Sequence, residues 1–306
     1  MQPSLPLPAL PEPAPWFTRA LANPGESHHV MVHGARLHYR CWSMEHDERP
    51  VLMLLHGFRA HARWWDFIAP FFAASYRVIA PDFSGMGDSA WRASYGADTF
   101  AADITGLIDA LNIGPVTAAG HSYGGSRLLR ACAARPDLFN RALVIDSFIL
   151  FENEPGPALR KLLGSRSYPD FASARTRYRL MPDQDNALPY LVDYIASHAL
   201  REVEDGWRWK FDPGMPATGY REQDGAALLN SIAVPVDFIH AEHSTVVSAE
   251  RAARTVTHLR DGRGPVTIPH GQHHLMLDQP LALVGAMRAL LANQPSLSTT
   301  SSRTPK

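Results

Sequence analysis

Gly120-His121-Ser122-Tyr123-Gly124-Gly125 is the stretch on which the reading of this chain turns. It follows the short apolar run Val116-Thr117-Ala118-Ala119, and neither Gly nor Pro interrupts Ser126 to Arg135 behind it. The order is strand, Gly-x-Ser-x-Gly, helix, which is the sequence form of a nucleophile elbow. The turn needs strained backbone angles and a close approach of strand and helix, and glycine tolerates both. Ser122 then sits at a helix N-terminus, where backbone N–H groups and the helix dipole favour developing negative charge. A Gly-rich turn with a capping serine would read the same way. The choice rests on whether the chain also supplies a base, an acid and a second oxyanion donor.

Working outward from the elbow, strands alternate with helices. Upstream, Val51-Leu52-Met53-Leu54-Leu55 is a continuous apolar run suited to a central strand buried on both faces. It ends in His56-Gly57-Phe58. Residues 62–74 read as a helix, and Arg77-Val78-Ile79-Ala80 as another buried strand. A loop follows from Pro81 through Ser89. Phe100, Ile104, Leu107, Ile108 and Leu111 then fall at helical spacing. Nearer the N-terminus, His29–Val32 and Leu37–Trp42 read as strands joined by a turn at His33-Gly34-Ala35. Trp16 to Leu21 reads as a short helix packed on the body. Prolines at 3, 6, 8, 11, 13 and 15 mark residues 1–15 as an extended tail.

Downstream, Ala142-Leu143-Val144-Ile145-Asp146 is the sixth core strand. From Ser147 to about Ser231 the rhythm breaks. Helical patterns occur at Ala158–Leu163, Asp170–Leu180 and Tyr190–Leu200, and Gly206–Phe211 alternates as a short strand. The sheet pattern resumes at Val234–His240, followed by a helix near 248–258, the strand Pro265–Ile268 and a last helix from Leu281 to Leu291. The expected architecture is α/β, a mostly parallel central sheet flanked by helices. Its parts are an N-terminal extension (1–26), a core (27–146 and 232–293), a largely helical cap inserted after the sixth strand (147–231) and a disordered Ser/Thr-rich tail (294–306).

The 306 residues are 45% apolar and 19% charged, ordinary for a globular protein, and the formal net charge of −1 gives no electrostatic case for nucleic acid or an anionic membrane as partner. Two cysteines, Cys41 and Cys132, build no metal or disulfide framework and read as reduced thiols. The N-terminus lacks the basic and apolar regions of a signal peptide, and no run of about 18 apolar residues suggests a membrane span. A cytoplasmic location, a small-molecule substrate and no cofactor are expected. The oligomeric state is left open.

Together these motifs resemble the α/β-hydrolase superfamily over roughly residues 27–292: His56-Gly57, the Asp82-to-Ser89 loop, the elbow, and His273 followed by Asp278-Gln279-Pro280 occur in the family's order. The resemblance implies Ser122 as nucleophile and His273 as base, seven positions before Pro280, with His274 as runner-up. It implies backbone N–H donors at Phe58 and Tyr123, and structural roles for His56, Asp82 and Asp88. Ser244 occupies the usual place of the acid. A serine cannot carry that charge, so Asp146, at the end of the sixth strand, is the favoured acid and Glu242 the alternative. A metal site is a weaker rival: the histidines lack the helical His-x-x-x-His form. Trp64, Trp65, Phe148, Phe151, Trp207 and Trp209 are candidates for an apolar substrate pocket. The expected activity is hydrolysis of a small to medium apolar carboxylic ester. Carbon–carbon, amide or lactone hydrolysis, perhydrolysis and a hydrolase-fold ligand receptor remain alternatives.

Overall fold

The computed structural model describes residues 11–44, 48–152, 154, 167–215 and 225–292. In chain order its elements are α1 (Pro15–Leu21), β1 (Glu26–Val32), β2 (Ala35–Trp42), β3 (Val51–Leu55), β4 (Arg77–Pro81), α2 (Thr99–Leu111), β5 (Val116–His121), α3 (Tyr123–Ala134), β6 (Phe139–Ile145), α4 (Phe171–Arg175), α5 (Pro189–His198), β7 (Leu200–Val203), β8 (Gly206–Trp209), α6 (Gly225–Ser231), β9 (Val236–Ala241), α7 (Ala249–His258), β10 (Gly262–Ile268), α8 (Leu275–Asp278) and α9 (Pro280–Ala292).

Eight strands form one sheet in the order β1-β2-β4-β3-β5-β6-β9-β10. β1 and β2 pair antiparallel, β2 pairs antiparallel with β4, and the remaining neighbours are parallel. The apolar runs explain the centre. Every residue of β3 and β5 is buried, as a strand covered on both faces requires. The two-residue period divides β3 between two cores: Val51, Met53 and Leu55 pack with α2 and α3 residues, whereas Leu52 and Leu54 pack with Trp65, Phe67 and α9 residues. β10, at one edge, is half-buried.

The helix expected over 62–74 is replaced by two 3-10 turns, Ala62–Trp65 and Ala69–Phe71. Pro70 explains the break, because it lacks an N–H and its ring clashes with a carbonyl four residues back. The helix expected over Asp170–Leu180 stops at Arg175, after which Arg177 and Tyr178 bond three residues back instead of four. Ala158–Leu163 lies outside the described residues, as do 1–10 of the N-terminal tail and 294–306.

Between β6 and β9 the chain adds no strand to the large sheet among the described residues. α4, α5 and the separate β7–β8 hairpin lie there instead. This excursion is tied to the loops at the carboxyl edge of the sheet. His61 Nε2–H donates to the Ile195 carbonyl, Asp212 N–H to Gly85, Leu188 N–H to Leu277 and Gln184 Nε2–H to His274.

Below those loops, Arg141 of β6 and Asp237 of β9 form a buried ion pair, and Arg141 also donates to the Leu290 carbonyl at 2.7 Å. Both side chains are almost inaccessible to solvent, so neither charge survives alone without a large desolvation cost. Asp237→Ala is expected to lower the unfolding free energy by about 3–5 kcal/mol, measured by urea denaturation. A loss under about 1 kcal/mol, the range of surface pairs, would contradict a desolvated pair.

Candidate active site

The elbow forms because three glycines leave room for it. A Cβ on Gly120 would lie 2.6 Å from the Gly124 carbonyl carbon, one on Gly124 would lie 2.5 Å from the His56 carbonyl oxygen, and one on Gly125 would lie 2.0 Å from Ser147 Oγ. Each is closer than real Cβ atoms come, so a side chain at any of the three would push β5, β3 or the β6 end away. Ser122 itself has φ 52° and ψ −118° between β5 and α3. A non-glycine residue there is strained, and its neighbours hold it. Its N–H donates to Ile145 at 2.9 Å, and the N–H groups of Gly125 and Ser126 donate back to its carbonyl.

His273 lies on the loop between β10 and α8, and Asp146 directly follows β6. The structure brings both to Ser122. His273 Nε2 is 2.9 Å from Ser122 Oγ, and His273 Nδ1 is 2.7 Å from Asp146 Oδ2. A carboxylate only accepts, so Nδ1 carries the proton and Nε2 is left to accept from the serine hydroxyl. Asp146 is fully buried and His273 nearly so, while Ser122 is half-buried and meets solvent.

A buried carboxylate needs donors. Asp146 has three. Besides His273, the Ala241 N–H donates to Oδ1 at 3.1 Å and the Ser244 hydroxyl donates to Oδ2 at 2.6 Å. Ser244 Oγ in turn accepts from the N–H groups of Val246 and Val247 at 3.1 and 3.0 Å, which fixes the direction of its own proton. Ser244, at the position where the resemblance implies an acid, thus donates to Asp146 instead. Glu242, the alternative acid, is not brought to His273. It is exposed, accepts from the His270 N–H at 2.7 Å and lies 3.7 Å from His243 Nε2.

The His56–Phe58 segment lies against the elbow: a Cβ on Gly57 would sit 3.6 Å from Ser122 Cβ. The Phe58 ring meets the Tyr123 ring edge-on at 5.2 Å. His56 holds this segment, donating from Nδ1 to its neighbour's carbonyl at 2.7 Å and accepting from Phe83 N–H at Nε2. Asp82 accepts from Ala62 N–H, His38 Nδ1 and Asp88 N–H. Burial alone would raise its pKa, but the hydrogen bond and charge of His38 and the Asp88 N–H hold it far below the usual carboxylate range.

Two further histidines crowd the site. His121 donates from Nε2 to the His273 carbonyl at 2.8 Å, and burial brings its pKa down to about 3, so the ring is neutral. It holds the backbone of His273 in place, a role its variable position in Gly-x-Ser-x-Gly does not suggest. His274 is not aligned on Ser122. Its ring packs on His273, His121 and Trp64, and burial pushes its pKa well down. Ring nitrogens of His121, His273 and His274 lie within 4.8 Å of one another, the arrangement nearest to a metal-ligand set in this pocket. Both nitrogens of His273 are already bonded to Asp146 and Ser122, which leaves that set incomplete.

The six aromatic residues expected around a pocket pack in several different neighbourhoods. Trp64 does reach the histidines, stacking over His121 at 6.5 Å. Its neighbour Trp65 is fully buried in the same core cluster, and Phe151 is buried beneath Arg254 of α7. Phe148 packs under Arg251, Trp207 against Phe171, and Trp209 against Tyr168 and Tyr178. Aromatic content marked cores of the excursion as much as the site.

A family model described as the alpha/beta hydrolase family matches residues 30–286. Among curated proteins, the chain is 30% identical to the lipase LipV of Mycobacterium tuberculosis over 51% of this chain and 61% of that protein. The chain therefore matches less than two thirds of the lipase's length. It is 26% identical to a 2-(acetamidomethylene)succinate hydrolase of Mesorhizobium japonicum over 76% of this chain and 84% of that one. Among solved structures, an E-2-(acetamidomethylene)succinate hydrolase superposes with a TM-score of 0.75 at 24% identity, covering 88% of this chain and 99% of that one. That likeness speaks to fold alone.

Two outcomes follow from the geometry. Asp146→Asn replaces a carboxylate with a neutral amide that no longer fixes the His273 tautomer and is expected to lower kcat by about 10⁴, while Glu242→Gln stays within about two-fold of the parent on the same assay; the reverse ranking would move the acid to Glu242. Burial also holds His61 at a pKa of about 3, as it does His121. Between about 3 and the ordinary 6.5 the unfolded chain binds protons that the folded chain refuses, so stability present above about pH 6.5 is lost on acidification. The urea midpoint is expected to fall steadily from about pH 7 toward about pH 4. A midpoint that rises over this range would contradict neutral burial of these rings.

Proposed function

The chain belongs to the alpha/beta hydrolase family, and we propose that it is a serine hydrolase that cleaves a carboxylic ester through an acyl-enzyme intermediate. The observation that carries this reading is the hydrogen-bonded line from Asp146 through His273 to Ser122. Ser122 is weakly nucleophilic alone, and a neutral histidine accepting its proton is what activates it. Oγ attacks the ester carbonyl carbon as His273 Nε2 takes the hydroxyl proton. Asp146, ionised and buried, stabilises the resulting imidazolium without itself taking a proton. The negative oxygen of the tetrahedral intermediate is received by the backbone N–H groups of Phe58 and Tyr123. Each such donor is worth about 3–4 kcal/mol of barrier. The carbon–oxygen bond to the alcohol then breaks, and His273 returns its proton to that leaving oxygen. Water repeats the sequence on the acyl-enzyme, with His273 again as base.

In this scheme the described residues between Ser147 and Ser231 act as a cap over the carboxyl edge of the sheet. The serine at the elbow speaks against the alkyl-enzyme chemistry that an aspartate would support there. A second reading, cleavage of an amide by the same residues, draws support from the likeness to a protein named for hydrolysing an acetamido compound. The two readings share the acyl-enzyme and differ in the leaving group.

A fluorophosphonate probe is expected to label the protein at one site and to lose all labelling in Ser122→Ala. Labelling that persists in that variant would remove Ser122 as the nucleophile. Activated short-chain esters should then show a burst of one leaving group per active site, followed by slower turnover.

A further inference from the structure

Arg59 immediately follows the proposed oxyanion donor Phe58, and its side chain is half-buried in a setting that differs from those of Arg40, Arg92 and Arg141. Arg40, Arg92 and Arg141 each face a carboxylate: Asp66 at 2.6 Å, Asp103 at 2.6 Å and Asp237. The Arg59 guanidinium pairs with no carboxylate among the described residues. The acids near its loop are committed elsewhere. Asp82 accepts from His38 and two backbone N–H groups, Asp88 pairs with Lys210 at 2.7 Å, and Asp212 accepts from the Tyr95 hydroxyl at 2.8 Å.

The side chain is nevertheless held in place. Its guanidinium carbon lies 5.2 Å from the centre of the Phe58 ring and 4.7 Å from that of Phe211. Its backbone is in the left-handed region at φ 57°, where a non-glycine residue is uncommon, and its N–H is 3.2 Å from Met86 Sδ. Phe211 is fixed opposite Met86 by a bridge between their backbones. Nε is buried without a hydrogen-bond partner. Burial alone lowers the pKa of the group, with no neighbouring charge to offset it. An oriented cation with a buried, unused donor is costly unless an acceptor reaches it. A planar fork of N–H donors is the group that a carboxylate accepts in two parallel bonds.

We infer that Arg59 is a substrate-binding residue that receives a carboxylate carried by the substrate, so that the ester cleaved at Ser122 is an acidic one. The Phe58 ring lies under Arg59 and against the Tyr123 ring, which packs the cation against the side chains of the two residues whose backbone N–H groups are the proposed oxyanion donors. This rests on the ester-hydrolase reading and replaces the apolar substrate suggested by the candidate aromatic pocket residues.

The test compares mono-p-nitrophenyl succinate with p-nitrophenyl butyrate, which match in chain length and differ in charge. Parent enzyme is expected to favour the succinate ester in kcat/KM. In Arg59→Gln the ratio of the two kcat/KM values is expected to fall about ten-fold or more, mainly through KM, the size of losing one charge-assisted pair. Arg59→Lys should keep part of the preference, since it keeps the charge and loses the fork. Calorimetry with succinate alone should show binding to parent enzyme that is lost in Arg59→Gln, and weaker binding of inorganic phosphate. Turnover of both esters with an unchanged ratio in Arg59→Gln overturns the inference and leaves the ester-hydrolase reading standing. Absence of turnover on either ester, with succinate binding that depends on Arg59, overturns the ester reading and supports the anion site. Succinate binding that is absent, or indifferent to Arg59, overturns the site whatever the esters do.

Discussion

A fully buried carboxylate is the constraint on which the site depends. Asp146 ends β6 in the left-handed region at φ 43° and receives three donors from three separate segments: Ala241 at the end of β9, Ser244 in the loop beyond it, and His273 after β10. Each donor meets a charge withdrawn from water, and each is anchored in turn by strand pairing or backbone hydrogen bonds. β6, β9 and β10 are neighbours in the sheet. Their parallel register places all three carboxyl ends at one edge, so that one charge organises three loops. Beneath that edge, the Arg141–Asp237 pair joins β6 to β9 a second time.

On the other side of Ser122 the controlling factor is space rather than charge. Gly120, Gly124 and Gly125 allow α3 to start against β3 and β5 with backbone almost in contact, and that contact sets Ser122 at its strained angles. His121 then links the two sides, because its ring reaches from the elbow to the carbonyl of His273. Charge fixes the histidine from below and steric fit fixes the serine from beside it. The 2.9 Å contact between them is the result.

Much of this was legible in the sequence, and the failures have physical causes. The buried strands declared themselves as apolar runs too short for helices, and α2 declared itself by its spacing. The segment 62–74 has helical apolar spacing, but Pro70 vetoes the hydrogen bonds that spacing alone assumes. Glycine spacing and Pro280 singled out Ser122 and His273, and the structure sets them side by side. The gap at Ser244 was visible, but that its hydroxyl would bind Asp146 depends on a contact between residues 98 apart in sequence. Arg59 gave no signal at all, since an arginine in a loop normally faces solvent, and only the missing counter-ion marks it. The aromatic residues are less specific as a signal, because a tryptophan in an irregular segment packs a local core as readily as it lines a pocket.

The geometry at Ser122 therefore gives the proposed site one buried carboxylate beside His273, Asp146, with Ser244 as a further donor to it. Low-field proton NMR of the resting protein tests that claim most directly, because a histidine Nδ1–H shared with a buried carboxylate resonates far downfield of ordinary amides. The account expects one such resonance in the parent protein, still present in Glu242→Gln and absent in Asp146→Asn. A downfield resonance that persists in Asp146→Asn would show that His273 is held by some other group, and would contradict the account at its centre.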